Sequence, residues 1–242
     1  MKFKLGRRPK RIDPRTFSLK RYFTALPPVP ASVDWGGKVI SWEMLGNDSL
    51  GDCGEASALH LEMDWTSNAS TEFLPTTQDA IAAYSAITGY NPADPSSDQG
   101  TVLLDLLNYW RTTGIAGHKI YAYATIDPAN IQELMAAVSF FGGAYLGVNL
   151  PQSALDATEA GQQWTNATDT NIAGGHAIPI VAYDQNSLTC ITWGQPQTMT
   201  WTWLKAYLDE AYAIFSPDWV GLNGAAPSGF NLSQLSGDLA AL

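Results

Sequence analysis

Apolar residues recur at helical spacing in the first half of the chain and in short, strand-like runs in the second. From Cys53 the run "CGEASALHLEMDWTS" places Ala56, Leu59, Leu61, Met63 and Trp65 in a proline-free stretch, which predicts a largely buried helix to about Thr66. Thr76–Thr88 predicts a second helix ending before Gly89, and Val102–Thr113 a third, stopped by Gly114. Between them, "NPADPSSDQG" has the composition of a loop. His118–Ile126 alternates in the manner of a strand, and Pro128–Phe141 predicts a helix with proline in its first turn and Gly142-Gly143 at its end. Ala144–Leu150, His176–Asp184 and Leu188–Gly194 predict strands, "TWTWLKAYLDE" a short helix, and Ala211–Ser216 a last strand. Helices first and sheet afterwards predicts an α+β protein, a helical lobe against a sheet lobe.

Composition narrows the class. With 242 residues, 45% hydrophobic and 15% charged, the chain has the apolar surface for a large core or two lobes sharing a cleft, which excludes wholesale disorder. No run approaches a membrane span, and "MKFKLGRRPK" is followed by no apolar stretch, so neither a membrane anchor nor a secretory signal is expected. Two cysteines, Cys53 and Cys190, allow one bridge but no disulfide framework. Of three histidines none clusters with a cysteine, so no metal or other cofactor is expected.

The net charge of -10 hides a division: residues 1–21 hold nine of thirteen bases against one acid, +8, leaving four bases against 22 acids, -18. "LPPVP" (Leu26–Pro30) predicts an extended connection. The chain therefore divides into a basic arm (1–25), a body (26–224) and a C-terminal tail (225–242), where Leu232, Leu235, Leu239 and Leu242 fall near helical spacing. Such an arm suits nucleic-acid phosphates or an acidic protein surface, as a tether into an assembly; it also suits the chain's own acidic body, or solvent.

The candidate chemistry lies in Cys53, at a predicted helix start, and His176, at a predicted strand start 123 residues later. A helix N-terminus favours a thiolate, and a neighbouring imidazole completes an activated nucleophile. Gly51 permits a tight turn before Cys53, and Gly174-Gly175 leaves room for a backbone to approach beside His176. Standing alone, a buried cysteine is commonly an inert small hydrophobe and a strand histidine commonly structural. His60, two helical turns from Cys53, reads as structural, His118 as solvated or capping, and Cys190 as a packed thiol.

These segments resemble the papain-like cysteine peptidases, in particular a variant found among bacterial and bacteriophage proteins. The resemblance rests on "MLGNDSLGDCGEASALH", "GGHAIPIVAYD" and "TWGQPQTMTW", and covers roughly residues 32–216 in the family's order. It implies a papain-like fold, with a helical lobe packed against a mostly antiparallel sheet lobe and a cleft between. It also implies Cys53 as nucleophile, His176 as general base, and Asn47, six residues before Cys53, in the oxyanion hole. A second alignment places "CGEAS" so that Ala56 takes the nucleophile's position and the protein is inactive. The family's imidazole-orienting Asn is replaced by Ile191, with Thr192 beside it as the substitute contact. No long propeptide precedes the body, so inhibition by a folded prodomain is not expected.

The expected activity is hydrolysis of a peptide or isopeptide bond in a peptide or protein substrate, in the cytoplasm or on a virion. The alternative is an inactive papain-like protein, attached to an assembly such as a phage particle through its basic arm.

Overall fold

The computed structural model describes residues 3–22, 28–220 and 226–228. The strands are β1 (Phe17–Ser18), β2 (Val33–Asp34), β3 (Ala122–Thr125), β4 (Ala144–Pro151), β5 (Ile172–Tyr183), β6 (Ser187–Thr192), β7 (Gln195–Thr200) and β8 (Leu208–Phe215). The helices are α1 (Leu19–Tyr22), α2 (Cys53–Ala69), α3 (Thr77–Thr88), α4 (Leu103–Thr112), α5 (Ile131–Phe141), α6 (Gln152–Glu159), α7 (Trp201–Tyr207) and α8 (Pro217–Val220). The sheet runs β1-β3-β8-β4-β5-β6-β7, with β2 added to β5, and is antiparallel except where β1 meets β3. This is the expected α+β architecture.

Local chemistry explains the helix limits. Thr76 and Asp79 cap α3 reciprocally, Oγ1 accepting from the Asp79 N–H at 3.3 Å and Oδ2 from the Thr76 N–H at 2.8 Å. The α5 start is capped by the Asn130 side chain. One core packs α5, α6 and α7 on the sheet; the other packs α2, α3 and α4 against Tyr145, Ala177 and Tyr212.

Several expectations change. The strand predicted from His118 shrinks to β3, because Ile115 and His118 pair in a tight turn. β8 begins at Leu208, shortening the helix predicted over residues 200–210 to α7. α6 and β7 were not anticipated. β7 is a polar edge strand in which Gln197 and Met199 turn inward, so its pattern is too short to stand out. Cys53 and Cys190 are both free and buried. Leu26, Pro27 and all of the tail except Ala226–Ser228 lie outside the described residues.

α2 is buried from Cys53 through Thr66, polar residues included. Glu55 accepts from Thr101 Oγ1 (2.8 Å), Glu62 from Trp110 Nε1 (3.0 Å) and Asp64 from Asn68 Nδ2 (3.2 Å), while His60 Nε2 meets the Glu43 carbonyl at 2.8 Å. Burial pushes Glu55, Glu62 and Asp64 well above the carboxylate range and Asp52, just before α2, up to about 8. A raised acid contributes stability below its unfolded value and loses it as pH climbs through its folded value. His60, lowered by burial to about 4, acts oppositely, but only below the ordinary histidine value near 6.5. Stability should therefore fall between pH 6.5 and 8.5, by about 2 kcal/mol from Asp52 alone. Urea midpoints at the two pH values check this; an equal or higher midpoint at pH 8.5 contradicts it.

Candidate active site

Cys53 is the first residue of α2, and the α2–β5 packing holds it against the sheet. Its Sγ accepts the Ala177 N–H at 3.4 Å, and Ser57 Oγ donates to the Ala177 carbonyl at 2.9 Å, so the helix start is pinned to the residue after His176. His176 is buried in β5, stacked on the Trp193 indole at 4.5 Å between ring centroids. Its Nε2 lies 2.7 Å from Thr192 Oγ1, while Nδ1 has no hydrogen-bond partner among the described residues. With the Nε2 proton donated to Thr192, Nδ1 carries a free lone pair. The fold thus brings Cys53, the His176 segment and Thr192 together, and Ile191 is core.

Asn47 lies in the loop before α2, with Nδ2 donating to the Leu50 carbonyl (3.1 Å) and Asp52 Oδ1 (3.3 Å). Both amide protons are engaged within that loop. Ala56 sits one turn into α2, behind Cys53.

The arm is where the structure departs furthest from expectation. The Phe3 ring packs on Trp193 at 4.4 Å, Trp193 Nε1 donates to the Lys4 carbonyl (3.2 Å), and the Lys4 N–H donates to the Asn47 carbonyl (3.2 Å). The Gly6 carbonyl then accepts from the Thr101 N–H (2.8 Å), the Arg7 N–H donates to the Gly175 carbonyl (3.0 Å), and the Arg8 N–H to the Thr101 carbonyl (2.9 Å). The strip runs parallel to the Thr101 segment and bridges the two lobes directly over Cys53, whose thiol the Gly6 N–H also faces. A Cβ on Gly6 would lie 1.8 Å from the Gly51 carbonyl oxygen, and one on Gly175 2.3 Å from that of Arg7. The backbone that the Gly174-Gly175 pair admits beside His176 is the chain's own.

The described part of the arm, residues 3–22, is therefore neither a solvated tail nor remote from the candidate chemistry; of the readings considered, cover of the acidic body is the one observed there. Arg7 pairs with Asp209 and Glu210, Lys10 with Asp209, Arg11 with Asp105 and Lys4 with Asp98. Nucleic-acid and assembly partners gain no support from these contacts. The signal that was available is glycine placement: Gly6, Gly51, Gly100, Gly174 and Gly175 line both sides of one close backbone approach.

Covering the site sets its electrostatics. Burial pushes the Cys53 thiol up to about 12, against the N–H groups of Ala177 and Gly6, which favour thiolate. Burial, with the nearby Arg7 charge, takes His176 down to about 3. In the covered site the thiol of Cys53 and the imidazole of His176 are both neutral.

His118 was expected in solvent or at a cap; instead its Nδ1 meets Asp218 Oδ2 at 3.0 Å and Glu62 Oε2 at 3.7 Å, beneath Phe73. These three side chains present ligand atoms within 4.8 Å of one another, the grouping among the described residues that could hold a cation. Burial pushes the Glu62 carboxyl well above the usual carboxylate range, and its Oε2 has no hydrogen-bond partner among the described residues.

Comparison with solved structures decides the fold. Xylellain, a cysteine protease from Xylella fastidiosa, superposes with a TM-score of 0.71 over 89% of this chain and 97% of its own, at 16% identity. The fold is that of the papain-like cysteine proteases. A Carica candamarcensis cysteine protease in complex with E-64 gives a TM-score of 0.56 at 14% identity, over 78% of this chain and 99% of its own. The Ananas comosus bromelain protease in complex with the E64 inhibitor gives 0.55 at 15%, over 78% and 100%. The sequence matches no protein-family model and no curated protein sequence. No helix among the described residues is long and apolar enough to cross a membrane.

Proposed function

We propose that the protein is a thiol-dependent hydrolase of peptide or isopeptide bonds, held closed at rest by its own N-terminal segment. The observation that carries this reading is the placement of Cys53. It opens a buried helix, with Sγ on the N–H that follows His176 and Nε2 of that histidine tied to Thr192. In the open site Cys53 Sγ attacks the carbonyl carbon, and His176 takes the thiol proton and returns it to the leaving amine. Water, deprotonated by His176, then releases the acyl group from sulfur. The Cys53 N–H and the Asn47 amide receive the oxyanion, Asn47 giving up its 3.3 Å bond to Asp52. The alternative of an inactive attachment protein has less to rest on, since four bases of the arm are already paired with the body.

The test is hydrolysis of a quenched-fluorescent peptide library by the full-length Gly6→Ala chain, whose arm no longer fits. Turnover that vanishes in Gly6→Ala/Cys53→Ala, with unchanged circular dichroism, is the expected result. Turnover that survives the loss of Cys53, or none in the opened chain, overturns the reading.

A further inference from the structure

The strongest side-chain contact of the arm is not with the thiol but with a pocket beside it. Arg7 has a side chain only 3% exposed, with Nη1 at 2.8 Å from Asp209 Oδ2 and 3.0 Å from Glu210 Oε1, and Nη2 at 2.7 Å from Asn149 Oδ1. Part of the pocket is held by contacts other than those with Arg7. Glu210 Oε2 accepts from the Tyr212 hydroxyl at 2.8 Å, which fixes the carboxylate. A Cβ on Gly147 would lie 2.6 Å from Arg7 Cδ and 2.7 Å from Glu210 Cγ, so this glycine makes the space for the stem.

The sheet supplies the two adjacent acids by a local irregularity. Side chains of successive strand residues point to opposite faces, so Asp209 and Glu210 would ordinarily diverge. Here Gly147 pairs with Glu210 but Val148 with Leu208, leaving Asp209 as an extra residue in β8. That bulge lets both carboxylates converge on one guanidinium. Three acceptors arranged around a planar fork favour arginine over lysine, which offers a point charge.

We propose that this pocket is a substrate subsite selecting an arginine side chain, and that Arg7 occupies it as the resting chain's stand-in. The inference rests on the hydrolase reading for the word substrate, but the selectivity itself does not depend on Cys53. The backbone contacts of the arm, to Thr101 and Gly175, are open to any extended chain, whereas the pocket distinguishes one side chain from another. When the arm leaves, Asp209 and Glu210 lose their cation in a half-enclosed site, and a chain that restores it is favoured over one that does not.

Binding to the full-length Arg7→Ala protein tests this by calorimetry, with acetyl-Gly-Arg-Gly-Gly-amide against the same peptide carrying Met in place of Arg. Gly6→Ala, whose arm no longer fits and which leaves every residue of the pocket in place, serves as the second background should Arg7→Ala fail to fold. The arginine peptide should bind at least about 10-fold more tightly, and Glu210→Gln should collapse the difference. Equal affinities, or no binding of either peptide in either background, overturn the proposal and leave the pocket as a latch for the arm alone. Iodoacetamide alkylation of Cys53, read by intact mass in the same samples, reports separately on the hydrolase reading.

Discussion

Replacing Gly6 with alanine should raise the rate of iodoacetamide alkylation of Cys53 at pH 7 by at least about 100-fold. The added methyl would sit 1.8 Å from the Gly51 carbonyl oxygen, a backbone atom at the turn before α2 rather than the end of a flexible side chain. The arm must then leave, taking with it the cover that helps hold the thiol near 12. A thiol at that value is ionised to roughly one part in 10⁵ at pH 7, whereas one returned to about 8.5 is ionised to a few per cent, some 10³-fold more. The same departure removes the Arg7 charge and part of the burial that depress His176, so the imidazole regains its basicity and can take the thiol proton. Cys190, buried in β6 with its thiol also pushed up by burial, is an internal control that should stay unlabelled in native protein. Equal alkylation rates in the native and Gly6→Ala chains, measured by mass spectrometry over a time course, would show that the arm does not control access.

The contrast between Cys53 and Gly6 shows what a linear sequence can carry. Cys53 opens α2 as its proline-free apolar run implies, because burial of that face and the helix period are both local properties. β5 was expected from His176 yet starts at Ile172, since Asn149 and Leu150 pair with Gly175 and Gly174 and supply the ladder that glycine's weak strand preference conceals. Thr192 beside Ile191 was legible as the substitute contact to His176, because adjacent strands β5 and β6 bring those positions together. The course of the arm was not. Its partners are Thr101, Gly175 and Glu210, reached mostly through backbone groups that every residue possesses, so no periodicity marks them. Charge had only limited power: +8 against -18 implied attraction between arm and body, without saying where on the body it would act. The pairing of His118 with Asp218, 100 residues on, was hidden for the same reason.

Within the opened chain, the His176–Thr192 pair should divide into a catalytic and a positioning contribution. His176→Ala removes the proton acceptor and donor, and should lower kcat/KM by about 10⁴-fold at pH 7, at the upper end of what general acid–base catalysis supplies. Thr192→Val is nearly isosteric but takes away the partner of Nε2 at 2.7 Å, leaving both ring nitrogens of a buried imidazole without a hydrogen bond. The ring is still stacked on Trp193, so the histidine stays near its place but loses the contact that orients it. A 10- to 100-fold fall, on the order of what losing such an orienting partner costs at a histidine site, is the expected result. It should fall on kcat rather than KM, because Thr192 lies behind the imidazole and not on the path of the bound arm. Unfolding free energy should drop by about 1–3 kcal/mol, the cost of an unsatisfied buried polar group. Thr192→Ser restores the hydroxyl while removing the methyl, and separates the two contributions: rate recovery with Ser requires the oxygen. If Thr192→Val keeps the full rate while Thr192→Ser is slow, methyl packing rather than the hydrogen bond orients His176, and the positioning role of the Thr192 oxygen is lost.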